Sequence, residues 1–113
     1  MIGTSNHPAG ASTLLHTVKN PITLAKTLLL DPENPHVFLG GIEAEKYAKK
    51  KGLEIVDPCY FWTKMRWKQH LEGLEKGNDK ADLSRYPMGT VGAVAVDKNG
   101  IIATATSTGT LFA

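Results

Sequence analysis

Cysteine is scarce in this sequence, and its scarcity limits the chemistry available. Cys59 is the only cysteine, so no disulfide bond can form within the chain. A single cysteine is compatible with a reducing compartment, and we expect a cytoplasmic protein. Cys59 lies in the apolar run Pro58 to Trp62, where the expected role is a small buried hydrophobic residue and not a nucleophile.

Excess charge and long apolar runs are also lacking. The formal net charge is only +2, too small to indicate nucleic acid or an acidic membrane surface as a partner. The densest basic run, Lys49 to Lys51, has Glu43, Glu45 and Glu54 nearby and is typical of a solvated helix face. No apolar run approaches the length of a membrane span, so we expect no membrane partner.

Metal-ligand spacing is absent as well. The histidines are scattered, at His7, His16, His36 and His70. We therefore expect no metal and no cofactor. What the sequence does have is an ordinary globular mixture, 42% hydrophobic and 21% charged, which excludes disorder throughout and fits one domain.

Helical patterns occupy much of the chain before residue 75. Asn20-Pro21 predicts a helix start with an asparagine cap, and Asp31-Pro32 ends that helix. The other predicted elements are a strand at His36–Leu39, a helix at about Ile42–Lys51 closed by Gly52, and a helix at Lys64–Leu74 capped by Thr63.

The remainder changes in character. Residues from about 75 to 89 are polar and predict an exposed, flexible linker. A β-hairpin follows, with strands at Thr90–Val96 and Ile101–Thr106 and a turn at Asp97–Gly100. Because the first strand is apolar on both faces, we expect both faces to be covered, as in a layered α/β sandwich.

Gly89-Thr90 is the candidate reactive element. If the peptide bond before Thr90 were cut, the new α-amine, with a pKa of about 7.7–8.0, could act as general base for the threonine hydroxyl. The same hydroxyl could attack the Gly89 carbonyl to make the cut, since glycine permits strained backbone geometry. From the residues alone, a turn glycine followed by a β-forming residue remains the simpler interpretation.

A longer pattern surrounds this pair. Three segments resemble the nucleophile hairpin of the plant-type asparaginases, also called isoaspartyl peptidases. They are Thr90 to Asp97, Asn99-Gly100 and Ala103 to Gly109. Upstream, the similar segments are Val18 to Ile22, Pro35 to Leu39, Glu45, Gly52 to Glu54, Tyr60-Phe61 and Arg66-Trp67. The resemblance covers about residues 8 to 109.

The resemblance implies a fold, a reaction and roles for three residues. The fold is the αββα sandwich of N-terminal-nucleophile hydrolases. Thr90 would be the nucleophile, freed by autocleavage after Gly89, and Thr108 would lie opposite it and form a hydrogen bond near it. The implied reaction is hydrolysis of the asparagine side-chain amide or of β-aspartyl peptide bonds through an acyl-threonine intermediate.

The resemblance also implies how the chain is divided. Residues 1–89 correspond to a mainly helical α-subunit segment that ends in the linker, and residues 90–113 to the start of the β-subunit. Three features of the family have no match in this sequence. They are the glycine-rich first segment, the arginine and aspartate that bind substrate, and the threonine-glycine pair that stabilises the oxyanion. We therefore expect a segment truncated at both ends. The substrate-binding residues would lie beyond Ala113. The complete enzyme would be a dimer of processed αβ units acting on a small substrate.

Other interpretations stay open. Glycosylasparaginases usually begin the motif with threonine-isoleucine-glycine. Taspase-like proteases tend to carry serine where Thr108 stands. The asparaginase branch is therefore favoured by Thr90 to Ala93 together with Ser107 to Gly109. A non-catalytic remnant, or an α/β module that binds a partner, is the alternative outside hydrolase chemistry. The chain as given is expected to be inactive by itself.

Overall fold

The computed structural model describes residues 8–76 and 89–109, which contain both helices and strands, so the α/β class is confirmed at this level. The helices in these residues are α1 (Pro21–Leu30), α2 (Gly41–Lys50), a short 3-10 helix (Pro58–Phe61) and α3 (Lys64–Lys76). The strands are β1 (Ala11–Thr13), β2 (Phe38–Gly40), β3 (Thr90–Val96) and β4 (Ile102–Thr108).

The strands of the described residues form two pairs. β1 and β2 pair in parallel, with Ala11 opposite Phe38. β3 and β4 form the predicted antiparallel hairpin, with Val96 opposite Ile102 next to the turn. The return strand is longer than predicted, because the ladder continues to Thr108 at the open end of the hairpin.

α1 begins at Pro21 as predicted, since proline lacks the N–H that a first helical turn leaves unsatisfied. The predicted side-chain cap is wrong, because the Asn20 side chain makes no capping hydrogen bond. The Asn20 carbonyl accepts instead from the Thr23 N–H at 3.0 Å. The helix ends before Asp31, whose N–H donates to the Thr27 carbonyl at 3.0 Å.

Two predicted boundaries shift slightly. The strand predicted at His36–Leu39 is found at Phe38–Gly40, and the helix predicted at Ile42–Lys51 begins one residue earlier, at Gly41. Gly52 has the positive φ of +73° that its predicted capping role requires.

The buried core lies between α1 and α2. Its buried members are Val18, Leu24, Leu28, Ala44 and Ala48, and Leu15, Leu39, Tyr47 and Leu53 pack against them. The leucines of α1 and the small alanines of α2 contribute to one buried cluster.

Glu45 connects this core to the segment that precedes α1. Its position on α2, four residues before Lys49, favours a helical ion pair. In the structure its Oε1 atom accepts from the backbone N–H groups of His16 and Thr17, at 2.5 and 2.8 Å. Burial raises the pKa of Glu45, but the hydrogen bonds from His16 and Thr17 lower it by more. The pKa of Glu45 is therefore below its ordinary value. Two backbone donors thus have a charged acceptor, which is the stronger arrangement.

Gly10 lies where β1 meets α1. A Cβ atom at this position would lie 2.1 Å from the Ala25 carbonyl oxygen and 2.8 Å from the Leu29 backbone nitrogen. We expect Gly10→Ala to lower the free energy of unfolding by about 1–3 kcal/mol, because backbone must move to remove this overlap. Chemical denaturation measures the loss. Gly92→Ala, whose Cβ would lie 3.5 Å from the nearest atom, the Ala105 carbonyl oxygen, is the matched control and should change little.

An ion pair and a phenol hydrogen bond join the end of α1 to α2. Asp31 Oδ2 accepts from Tyr47 Oη at 2.6 Å and lies 2.7 Å from Lys51 Nζ. The hydrogen bond from Lys51, with that from Tyr47, lowers the pKa of Asp31 to about 2. Burial, together with the Asp31 carboxylate, raises the pKa of Tyr47 to about 12.

This cluster makes stability depend on acid pH. The pKa of Asp31 falls from an ordinary 3.8 to about 2 on folding, so its stabilising contribution is complete above 3.8 and is lost as the pH falls towards 2. We expect Asp31→Asn to flatten this part of the pH profile, measured as thermal midpoints from about pH 5 to about pH 2. An unchanged slope in Asp31→Asn would exclude Asp31 as its cause.

α3 begins as predicted, with Thr63 Oγ1 accepting from the Arg66 N–H at 3.3 Å. The helix continues to Lys76, so the first residues of the predicted linker, 75 and 76, are helical. The rest of that linker, residues 77–88, lies outside the described residues, and its flexibility stays a prediction.

Cys59 does not occupy the predicted buried position. It is exposed in the 3-10 helix, where its backbone N–H donates to the carboxylate of Asp57 at 2.8 Å. The hydrogen bond with Asp57 raises the pKa of the Cys59 thiol. A thiol kept protonated is a poor nucleophile, in agreement with the role excluded from the sequence.

The faces of the hairpin are not covered as predicted. Every residue of β3 is exposed, and Val91 on one face and Val94 on the other are 67% and 75% exposed. Although α1 also contacts β4, no described element covers β3. Apolar side chains on both faces of an exposed strand indicate a surface that requires further packing.

Candidate functional site

Thr90 and Thr108 meet at the open end of the hairpin. They are the first residue of β3 and the last of β4, and they are directly paired in the antiparallel register. Their Oγ1 atoms are 2.8 Å apart, a hydrogen bond in which either hydroxyl can donate. The two hydroxyl groups are therefore close together, in the arrangement that the family resemblance implies, and the roles of the two threonines stay predictions.

The turn at the other end fixes this pairing. Asp97 Oδ1 accepts from the N–H groups of Asn99 and Ile101, at 2.8 and 2.9 Å. Gly100 takes a φ of +79°, and its N–H donates to the Asp97 carbonyl at 3.0 Å. A slip of one residue would turn the side chain opposite Thr90 to the other face, so the turn determines that two hydroxyl groups meet.

Gly89, the residue before the candidate nucleophile, lies in a confined place although it is exposed. A Cβ atom there would lie 3.2 Å from Arg66 Nη2 and 3.5 Å from the Gly109 carbonyl oxygen. The guanidinium group of Arg66 and the residue after β4 are therefore both close to Gly89. A larger residue at this position would displace one of them.

Arg66 is the residue of this site that sequence reasoning missed. It lies in the first turn of α3, half-buried, and its Nη1 donates to Gln69 Oε1 at 2.7 Å. The sequence marks Arg66 only as part of a family-like segment at a helix start. Nothing in one sequence indicates that Arg66, which is more than twenty residues before Gly89, approaches it, because that contact is long-range.

The arrangement has the parts for an acyl transfer within the backbone. The hydroxyl of Thr90 is hydrogen-bonded to that of Thr108, and the neighbouring Gly89 lies close to the guanidinium of Arg66. Both hydroxyl groups are exposed in the described part of the chain. An exposed threonine hydroxyl is weakly nucleophilic and requires a base and a desolvated site for efficient chemistry.

Other kinds of site find no support in residues 8–76 and 89–109. These residues contain no group of three or more histidine, cysteine or acidic side chains placed to hold a metal ion. In the same ranges, no helix combines the length and apolar character needed to cross a membrane.

Comparison with known proteins gives a consistent result. The family model described as Asparaginase matches residues 1–112. An isoaspartyl peptidase of Escherichia coli (strain K12) is 39% identical over 107 residues, covering 89% of this chain and 33% of the relative. An isoaspartyl peptidase/L-asparaginase of Mus musculus is 44% identical over 103 residues, covering 89% of this chain and 30% of the relative.

A more extended alignment comes from Dictyostelium discoideum. Its putative isoaspartyl peptidase/L-asparaginase is 35% identical over 139 residues, covering 93% of this chain and 39% of the relative. The chain thus spans about a third of the length of the curated relatives it matches.

Proposed function

The chain belongs to the asparaginase family, and on this premise we propose that it supplies the nucleophile of an amidohydrolase. The proposed substrates are small molecules, L-asparagine or β-aspartyl peptides, in agreement with the names of the relatives. The observation that carries the proposal is the hydrogen bond of 2.8 Å between the hydroxyl groups of Thr90 and Thr108, where Thr90 is the residue directly after Gly89.

Autocleavage is the first proposed step. Thr90 Oγ1 attacks the carbonyl carbon of Gly89, a C–O bond forms, the C–N bond to Thr90 breaks, and the hydroxyl proton passes to the leaving nitrogen. Water then hydrolyses the resulting ester, which leaves a carboxylate on Gly89 and restores the hydroxyl of Thr90. The products are a chain ending at Gly89 and a chain beginning at Thr90.

Substrate hydrolysis uses the amine that cleavage releases. The α-amino group of Thr90, with an ordinary pKa of about 7.7–8.0, accepts the hydroxyl proton while Oγ1 attacks the substrate's side-chain carbonyl. Ammonia or an amine leaves, and water hydrolyses the acyl-threonine. The hydroxyl of Thr108 contributes a fixed polar partner for Oγ1 in both reactions.

The αββα sandwich belongs to the same proposal. Both faces of β3 carry exposed valines, as expected of a strand that would lie in a layer covered on each side. We infer that further strands and helices of the whole protein complete this layer and provide the residues that bind substrate, in a cytoplasmic dimer of processed αβ units.

Intact mass tests the cleavage directly. The protein is expressed from its complete reading frame, purified and incubated, and both products are weighed. We expect two chains that divide between Gly89 and Thr90, with threonine at the new N-terminus. A protein that hydrolyses asparagine while its chain remains uncleaved would contradict the proposal.

A further inference from the structure

We propose that Arg66 assists cleavage of the Gly89–Thr90 bond by placing its positive charge beside the Gly89 carbonyl. The inference deepens the proposed function and rests on it, since it concerns how the nucleophile is released. It assigns to α3 a part in chain processing that is separate from substrate hydrolysis.

The first observation is proximity. Arg66 Nη2 lies 3.2 Å from the point that a Cβ of Gly89 would occupy, and that point is bonded to the same carbon atom as the reacting carbonyl. The guanidinium is therefore adjacent to the residue at which negative charge develops when Oγ1 attacks. A Cβ at this point would be in tight contact with the guanidinium, which would have to shift by a few tenths of an ångström.

The second observation is that the guanidinium is held. The side chain of Gln69 is buried, with the residue only 8% exposed, and its Oε1 accepts from Arg66 Nη1 at 2.7 Å. The backbone N–H of Arg66 donates to the Thr63 cap at 3.3 Å. With one nitrogen anchored to a buried amide and the backbone fixed in a helix start, little reorganisation is needed for Nη2 to remain beside Gly89.

The chemistry follows from charge. Attack of Thr90 on the Gly89 carbonyl produces a tetrahedral oxyanion, and a permanently charged donor nearby lowers the energy of that state relative to the neutral peptide. The Gly109 carbonyl oxygen lies 3.5 Å from the same Cβ point, so Gly89 has a second close neighbour there. After cleavage the Gly89 carbonyl has become a carboxylate, so the barrier to substrate hydrolysis no longer contains this contact.

The inference predicts a separation of two rates. Arg66→Gln should slow autocleavage by about ten- to a thousandfold, the scale of losing one positioned donor to an oxyanion. Arg66→Lys keeps the charge and should restore part of the rate. Lys68→Gln, which removes a positive charge from the same helix, is the matched control and should cleave at the unaltered rate.

The experiment measures cleavage and turnover in separate proteins. Cleavage rates come from intact mass during incubation of the protein expressed from its complete reading frame. Turnover is measured after bypassing cleavage, by co-expressing the part of the complete reading frame that ends at Gly89 with a second chain whose N-terminal tag is removed to expose Thr90. Arg66→Gln should slow cleavage in the first protein and leave ammonia release from asparagine within about threefold in the second.

Each outcome decides between distinct failures. Unchanged cleavage in Arg66→Gln overturns the inference while leaving the nucleophile proposal intact. Equal losses of cleavage and turnover would show that Arg66 supports only the fold, and this also overturns it. If Arg66→Gln is not recovered in folded form, Arg66→Lys decides: a reduced cleavage rate with normal turnover supports the inference, and a rate equal to the control contradicts it. If the wild-type protein assembled without autocleavage shows no turnover, the result contradicts the proposed function and not the role of Arg66.

Discussion

Thr90→Ala is expected to remove both autocleavage and asparagine hydrolysis in the protein expressed from its complete reading frame. No hydroxyl remains to attack the Gly89 carbonyl, and none remains to form the acyl intermediate. Loss of a covalent nucleophile costs on the order of 10⁴–10⁶ in rate. Cleavage is measured by intact mass, and turnover by ammonia release.

Two controls test whether the loss of activity in Thr90→Ala is due to the missing hydroxyl group. Thr90→Ser keeps a hydroxyl and should retain measurable cleavage and turnover. In the bypassed protein, a chain that begins with alanine at position 90 has a free amine without a nucleophile and should be inactive, whereas the chain beginning with Thr90 should be active. Turnover by the alanine chain would show that another group performs the attack.

Thr108→Val is expected to slow cleavage or turnover by about ten- to a thousandfold, the second largest effect. Valine keeps the branched shape of threonine on β4 but cannot hydrogen-bond to Thr90 Oγ1, which lies 2.8 Å from Thr108 Oγ1 in the structure. Thr108→Ser restores a hydroxyl and should recover most of the rate.

The stability of the protein distinguishes a chemical role for Thr108 from a structural one. Since Thr108 is exposed at the end of a hairpin, the substitution to valine should move the thermal midpoint little. Full activity of Thr108→Val would make Thr108 an ordinary strand residue. A large fall in stability that parallels the fall in rate would assign it to the fold.

Local chemistry explains which elements the sequence could predict. Pro21 fixes a helix start, and Gly52 and Gly100 take the positive φ angles that their positions suggested. The meeting of Thr90 with Thr108 could also be predicted, because the turn at Asp97–Gly100 and a period of two determine the register.

Features that depend on distant contacts could not be predicted. The partners of Glu45 are backbone groups 29 and 28 residues earlier, so the helical spacing to Lys49 was uninformative. The approach of Arg66 to Gly89 is similar, since it depends on how the side chain of Arg66 extends from α3 towards the start of the hairpin. The exposure of β3 differs from the prediction because apolar residues on both faces show that a strand requires covering and do not show that the described residues cover it.

The measurement that tests the central claim most directly is the site of the acyl intermediate. The protein is quenched in acid during turnover of a β-aspartyl substrate and digested with trypsin. The sequence predicts that a cleaved chain yields the peptide Thr90–Lys98, and that an uncleaved chain yields Tyr86–Lys98. We expect the Thr90–Lys98 peptide to carry one aspartyl group, esterified to the threonine. An aspartyl group on any other residue, or turnover by a protein that yields only Tyr86–Lys98, would contradict Thr90 as the nucleophile.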